Sequence, residues 1–149
     1  MEKSMKIKFL GATRQVTGSS YFLDIDGVKI LIDCGLFQER DYSHRNWEAF
    51  PIPPDQIQHL LLTHVHLDHC GLIPKLVKEG FAGDILLTSA SKELFPIVIL
   101  DSARIQEEDA AYEGRAARCG RRGALRRWCW LCPSLLPALP AACQRRRLG

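Results

Sequence analysis

The chain has 149 residues, enough for one domain or slightly less. Its formal charge of +3 hides a break: residues 1–114 hold eleven Lys and Arg against all seventeen Asp and Glu, whereas residues 115–149 hold nine Arg and no acid. Met1-Glu2-Lys3-Ser4-Met5-Lys6 opens no apolar signal core, the apolar run 128–143 is short of the ~20 residues of a membrane span and holds three prolines, and only Cys34 and Cys70 lie before residue 115, so a cytoplasmic protein without a membrane span or disulfide framework is expected.

Taken in chain order, Lys6 to Leu10 reads as a strand and Gly11 to Gly18 as a small polar loop. Ser20 to Ile25 and Val28 to Ile32 read as two strands joined by Asp26-Gly27, a strong hairpin signal between apolar runs. Arg40 to Gln56 is irregular, broken by Pro51, Pro53 and Pro54. His59 to Leu62 is a short buried strand, Leu72 to Lys78 a helix closed by Gly80, and Asp84 to Leu87 another strand. Ser91 to about Ala111 is a long helix with Pro96 near its first turns; Glu107-Glu108-Asp109 forms a solvated face of it. After residue 113 the pattern changes. Residues 114–149, rich in Arg, Cys and Pro, read as a disordered tail or one foreign to the fold. Cys129-x-x-Cys132 resembles half of a zinc knuckle, but the other tail cysteines are badly spaced to complete it.

Thr63-His64-Val65-His66-Leu67-Asp68-His69-Cys70-Gly71 packs three imidazoles and a carboxylate into six residues. Imidazole nitrogen and carboxylate oxygen suit zinc. His64 and His66 are two apart, so on an extended segment they point to one side. Asp68 and His69 follow at a helix start, where the turning chain aims a second pair at a neighbouring point. One metal could take the first pair and a second metal the other. Two metals about 3.5–4 Å apart can stabilise an in-line displacement. His59 lies upstream of this pattern and His44 in a polar stretch; neither is read as a ligand. Thr17, Ser19 and Ser20 lie on the glycine-bounded loop within reach of a phosphate, a weak signal because such loops are common.

His-x-His-x-Asp-His-x-Gly resembles the signature of the metallo-β-lactamase fold. Three further segments are similar to its β-CASP branch: Phe9 to Ser20 (FLGATRQVTGSS), Ile30 to Gln38 (ILIDCGLFQ) and Asp101 to Ala110 (DSARIQEEDA). The branch includes the nuclease subunit of the cleavage and polyadenylation machinery and ribonuclease J. The resemblance covers Met5 to Glu113. It implies an α/β fold, the first half of an αββα sandwich, with residues 1–113 as the N-terminal part of the domain. It implies two zinc ions, His64 and His66 on the first, Asp68 and His69 on the second, with Asp68 also orienting the attacking water as the catalytic residue. Asp33, at a strand end, matches an acid that steadies the metal histidines by accepting a ring N–H; the plain alternative is a turn aspartate.

Three functions follow from this resemblance. The full-length parent is expected to be a zinc-dependent ribonuclease that cleaves RNA phosphodiesters, with RNA as partner. The chain itself is alternatively an inactive truncated fragment, because in the family a second half supplies another histidine and the acid bridging both metals; zinc would then bind weakly. A small-molecule metallohydrolase acting on a lactam or thioester shares the metal motif. Half of a sandwich should also leave one sheet face bare, with Leu31, Leu61, Ile85 and Leu87 partly uncovered and available for self-association.

Overall fold

The structure is a computed structural model, and it describes residues 4–118. Five strands form one sheet in the order β1-β2-β3-β4-β5: β1 (Met5–Phe9), β2 (Tyr21–Ile25), β3 (Val28–Ile32), β4 (His59–Leu61) and β5 (Asp84–Leu86). β1 and β2, like β2 and β3, pair antiparallel; β3, β4 and β5 are parallel. The hairpin between β2 and β3 has Asp26 at φ 51° and Gly27 at φ 87°, the doubly left-handed turn that matches strand twist. The parallel strands need crossovers. The first is the irregular segment 33–58, in which Ser43–Trp47 and Pro54–Gln56 form single 3-10 turns. The second carries the short helices α1 (Leu67–Cys70) and α2 (Ile73–Lys78).

The last helix, α3, spans Ser89–Arg118, longer at both ends than its apolar periodicity suggests. Its start is set by Thr88, whose Oγ1 accepts a hydrogen bond from Ser91 N at 3.2 Å, a cap that the sequence reading passed over. Its far end runs through position 113, where the composition changes; residues 119–149, including the Cys129-x-x-Cys132 pair, lie outside the described residues.

Alternation along the strands separates two faces. Phe22, Leu31, Leu60 and Ile85 point to one side and share a core with Ile73 and Leu76 of α2 and with Phe95, Ile99 and Ala103 of α3. Leu31 and Ile85 are 1% and 4% exposed, so the expectation that they lie on the bare face is wrong: their parity puts them under the helices. Among the described residues the opposite face is the uncovered one. It carries Met5, Ile7, Phe9, Ile25 and Val28, all exposed, beside the half-buried Leu23, Ile30, Ile32 and Leu61.

Candidate metal centre

Strand β4 ends at Leu61, and the chain leaves the sheet through Leu62 and Thr63 into the histidine segment. His66 still has extended backbone (φ −68°, ψ 145°) and caps α1, with its carbonyl accepting from His69 N and Cys70 N. The switch from extended to helical backbone at this point separates the two pairs of side chains. A second segment clamps the turn from below. Cys34 N donates to the His69 carbonyl at 2.8 Å, Leu36 N to the Leu67 carbonyl at 2.9 Å and Ser19 N to the Asp68 carbonyl at 2.8 Å. Gly35 is required for this approach: a Cβ there would lie 1.7 Å from the Asp68 carbonyl oxygen.

The side chains meet as the spacing suggests. His64 Nε2 and His66 Nδ1 face each other at 3.2 Å, and the His64 and His69 rings lie 3.9 Å apart between centroids. His69 Nε2 lies 3.6 Å from Asp68 Oδ2. These separations fit bound metal. Two nitrogens bonded to one tetrahedral ion at about 2.0–2.1 Å lie roughly 3.3–3.4 Å apart. His64/His66 and Asp68/His69 thus present two two-donor bites, side by side. Among the described residues no three His, Cys, Asp or Glu side chains are arranged around one ion.

Asp33 lies against His69 and Thr63 and is 2% exposed. It has φ 57°, a left-handed conformation that Asp tolerates better than most side chains. Its Oδ2 accepts from His69 Nδ1 at 2.8 Å and from Ser19 Oγ at 3.2 Å; its Oδ1 accepts from Thr63 N at 2.9 Å. A carboxylate can only accept, so His69 Nδ1 carries the proton and Nε2 keeps its lone pair for a metal. Thr63 Oγ1 touches both Asp33 oxygens at 2.9 Å and His64 Nδ1 at 3.0 Å. Sequence reasoning gave Thr63 no role. The available signal was a hydroxyl directly preceding the first histidine.

Beside this cluster, burial, with the Asp33 and Asp68 charges near it, pushes the Cys70 thiol up to about 12, and burial raises the Cys34 thiol as well; Cys70 Sγ donates to the Val65 carbonyl at 3.4 Å. His59 sits on β4 with Nδ1 3.8 Å from Asp84 Oδ2, and His44 pairs at the surface with Glu48 at 3.6 Å; neither joins the cluster. The hydroxyls of Thr17 and Ser19 on the glycine-bounded loop are engaged within the fold. Thr17 Oγ1 donates to Glu39 and accepts from Gln38 N, and Ser19 is spent on Asp33. A cavity lined by Leu10, Cys34, Phe37, Arg45, Phe50 and Lys75 includes none of the four donors.

A mixed sheet backed by helices carries His-x-His-x-Asp-His just beyond β4, and the metallo-beta-lactamase superfamily model matches residues 13–108. The chain belongs to the metallo-beta-lactamase superfamily. Among its relatives, a ribonuclease of Thermus thermophilus is 41% identical over 104 residues, covering 70% of this chain and 24% of that protein. A transcription termination factor of Methanocaldococcus jannaschii is 29% identical over 108 residues, 70% of this chain and 17% of that protein. A cleavage and polyadenylation specificity factor of Drosophila melanogaster is 35% identical over 106 residues, 68% of this chain and 15% of that protein. The chain thus spans about a quarter or less of these relatives' length. They are the kinds of protein the N-terminal motifs resemble.

Proposed function

We propose that this chain carries the first two ligand pairs of a zinc-dependent β-CASP ribonuclease. The observation that carries this reading is the pair of adjacent bites, His64 Nε2 with His66 Nδ1 and Asp68 Oδ2 with His69 Nε2, with Asp33 bonded to His69 Nδ1. His64 and His66 would hold the first zinc, and Asp68 and His69 the second. Zinc there supplies Lewis acidity and a nucleophile at neutral pH. The chain's own residues supply the rest of the derivable chemistry. Asp33 keeps the His69 Nε2 lone pair outward. Asp68, at a helix start and only partly buried, offers a carboxylate that orients a water and accepts its proton. RNA as substrate is supported by the named activities of the Thermus and Drosophila relatives. The free thiols Cys34 and Cys70 suit a reducing cytoplasm, and among the described residues no helix is long and apolar enough to cross a membrane. The division at 113/114 belongs to the same reading: all four donors and Asp33 lie before it, although α3 continues across it to Arg118, and the arginine-rich stretch after it would meet RNA through charge.

A second reading rests on the pairing of the donors. Catalytic zinc takes three protein ligands. The described residues offer two per ion, so they do not complete a catalytic centre by themselves. On this reading the parent is the enzyme and the chain alone is silent. Incubation of the full chain with single-stranded RNA and zinc, with His66→Ala as control, separates the two. We expect no cleavage above background. RNA cleavage abolished by His66→Ala would show that the chain completes its own site. Salt-sensitive RNA binding that survives His66→Ala and vanishes on removal of residues 115–149 would belong to the arginines. Cleavage of a lactam but not of RNA would refute the ribonuclease reading.

A further inference from the structure

We infer that Thr63 is a positioning residue that fixes the tautomer of His64, so that the single carboxylate of Asp33 orients both metal pairs: the second directly through His69, the first through the Thr63 hydroxyl. The inference rests on the reading of the cluster as a metal centre. It is independent of the substrate.

Counting protons around Thr63 Oγ1 fixes the tautomer. Thr63 Oγ1 has one proton and lies 2.9 Å from each Asp33 oxygen. Asp33 is buried and can only accept. If the hydroxyl proton pointed elsewhere, oxygen lone pairs would face both oxygens of an anionic carboxylate at hydrogen-bond distance. The proton therefore lies toward Asp33. The backbone restrains the same residue, since Thr63 N also donates to Asp33 Oδ1 at 2.9 Å. With its proton committed, Oγ1 can only accept from its remaining neighbour, His64 Nδ1 at 3.0 Å. His64 thus carries its proton on Nδ1 and presents an unprotonated Nε2, the atom that faces His66 Nδ1. A ring tautomer set by the hydrogen bond of its other nitrogen is the usual device at metal histidines. Here the device is relayed. The 3.4 Å contact between Thr63 Oγ1 and His69 Nδ1 is longer than the 2.8 Å contact of that nitrogen with Asp33, so His69 is held by the carboxylate itself.

The test uses the full chain labelled with ¹⁵N-histidine. Two-dimensional ¹⁵N–¹H spectra of the imidazoles report which nitrogen is protonated, with no metal or substrate required. The expected result for the unmodified chain is His64 protonated on Nδ1, and the same for His69. A His64 protonated on Nε2 overturns the inference, whatever any variant does. Thr63→Val removes the hydroxyl at nearly constant shape, and Thr63→Ser restores it. Thr63→Val should shift His64 toward the other tautomer, leave His69 protonated on Nδ1, and weaken zinc binding about 10-fold or more, the loss typical for such supporting hydrogen bonds. Thr63→Ser should keep zinc affinity within about 3-fold of the unmodified chain, well inside that loss. A Thr63→Val chain whose His64 tautomer is unchanged overturns the relay. If the unmodified chain binds no zinc, the metal-centre reading fails while the tautomer measurement still decides the role of Thr63.

Discussion

Replacing Asp33 by asparagine keeps the size of the side chain and its tolerance of φ 57°, and removes one acceptor oxygen. Each oxygen now serves a fixed N–H: Thr63 N on Oδ1 and His69 Nδ1 on Oδ2, both within 2.9 Å. Whichever way the amide is turned, one of these faces an NH₂ group. One buried donor left unpaired costs about 1–3 kcal/mol, and converting the remaining bonds from charged to neutral acceptors costs roughly 1 kcal/mol more. Asp33→Asn should therefore lose about 2–4 kcal/mol, a large share of the 5–15 kcal/mol by which a domain is stable. Asp33→Ala should lose more. It gives up every bond of the carboxylate and places a Cβ residue without a polar group in left-handed backbone, which adds about 1–2 kcal/mol. Zinc affinity should fall about 10–100-fold in Asp33→Asn. Urea denaturation followed by circular dichroism, together with zinc titration against a chromophoric competitor, measures both. An Asp33→Asn chain with unchanged urea midpoint and unchanged zinc affinity would refute the reasoning, because the carboxylate would then be an ordinary turn residue.

The bare sheet face should drive association of the isolated chain. Lysine at Ile7 or Phe9, 50% and 61% exposed on β1, should weaken concentration-dependent association in sedimentation about 10-fold each, since each removes roughly half of a full apolar burial. Glu39 ties the loop at 16–17 to the body, accepting from Val16 N at 2.7 Å, Thr17 N at 3.0 Å and the Thr17 hydroxyl, and the hydroxyl bond foremost holds its carboxyl below the ordinary value. A depressed acid stabilises above its unfolded pKa, so protection of Val16 and Thr17 against amide exchange, relative to their intrinsic rates, should be high above about pH 4.3, fall as pH drops through the lowered value, and be low at all pH in Glu39→Gln.

Much of the candidate site was legible in residue spacing because its geometry is local. His64, His66, Asp68 and His69 lie within six residues, and the change from extended to helical backbone at His66 follows from the same few dihedrals that the spacing implies. The hairpin at Asp26-Gly27 was legible for the same reason. The supports were harder to see because they are tertiary. Thr63 and Ser19 converge on Asp33 only after β3 and β4 pair and the loop at 11–18 folds back, and neither event leaves a periodic trace. The bare face was misassigned by parity: the apolar residues of β3 and β5 were treated as one group, although Leu31 and Ile85 lean on α2 and α3 while Ile30 and Ile32 point the other way. The extra length of α3 at its start comes from the Thr88 cap rather than from an apolar repeat.

The most direct test of the metal centre is zinc stoichiometry of the full chain by equilibrium dialysis, with Cys119, Cys129, Cys132 and Cys143 all changed to serine so that tail thiols do not contribute. Two zinc ions should bind per chain, weakly enough that dialysis against metal-free buffer removes them, because each meets two protein donors instead of three or four. His66→Ala should abolish one of the two and His69→Ala the other. Zinc binding unaffected by His64→Ala, His66→Ala and His69→Ala together would contradict the assignment of the cluster as a metal centre, and two zinc ions retained through dialysis would contradict its description as two incomplete pairs.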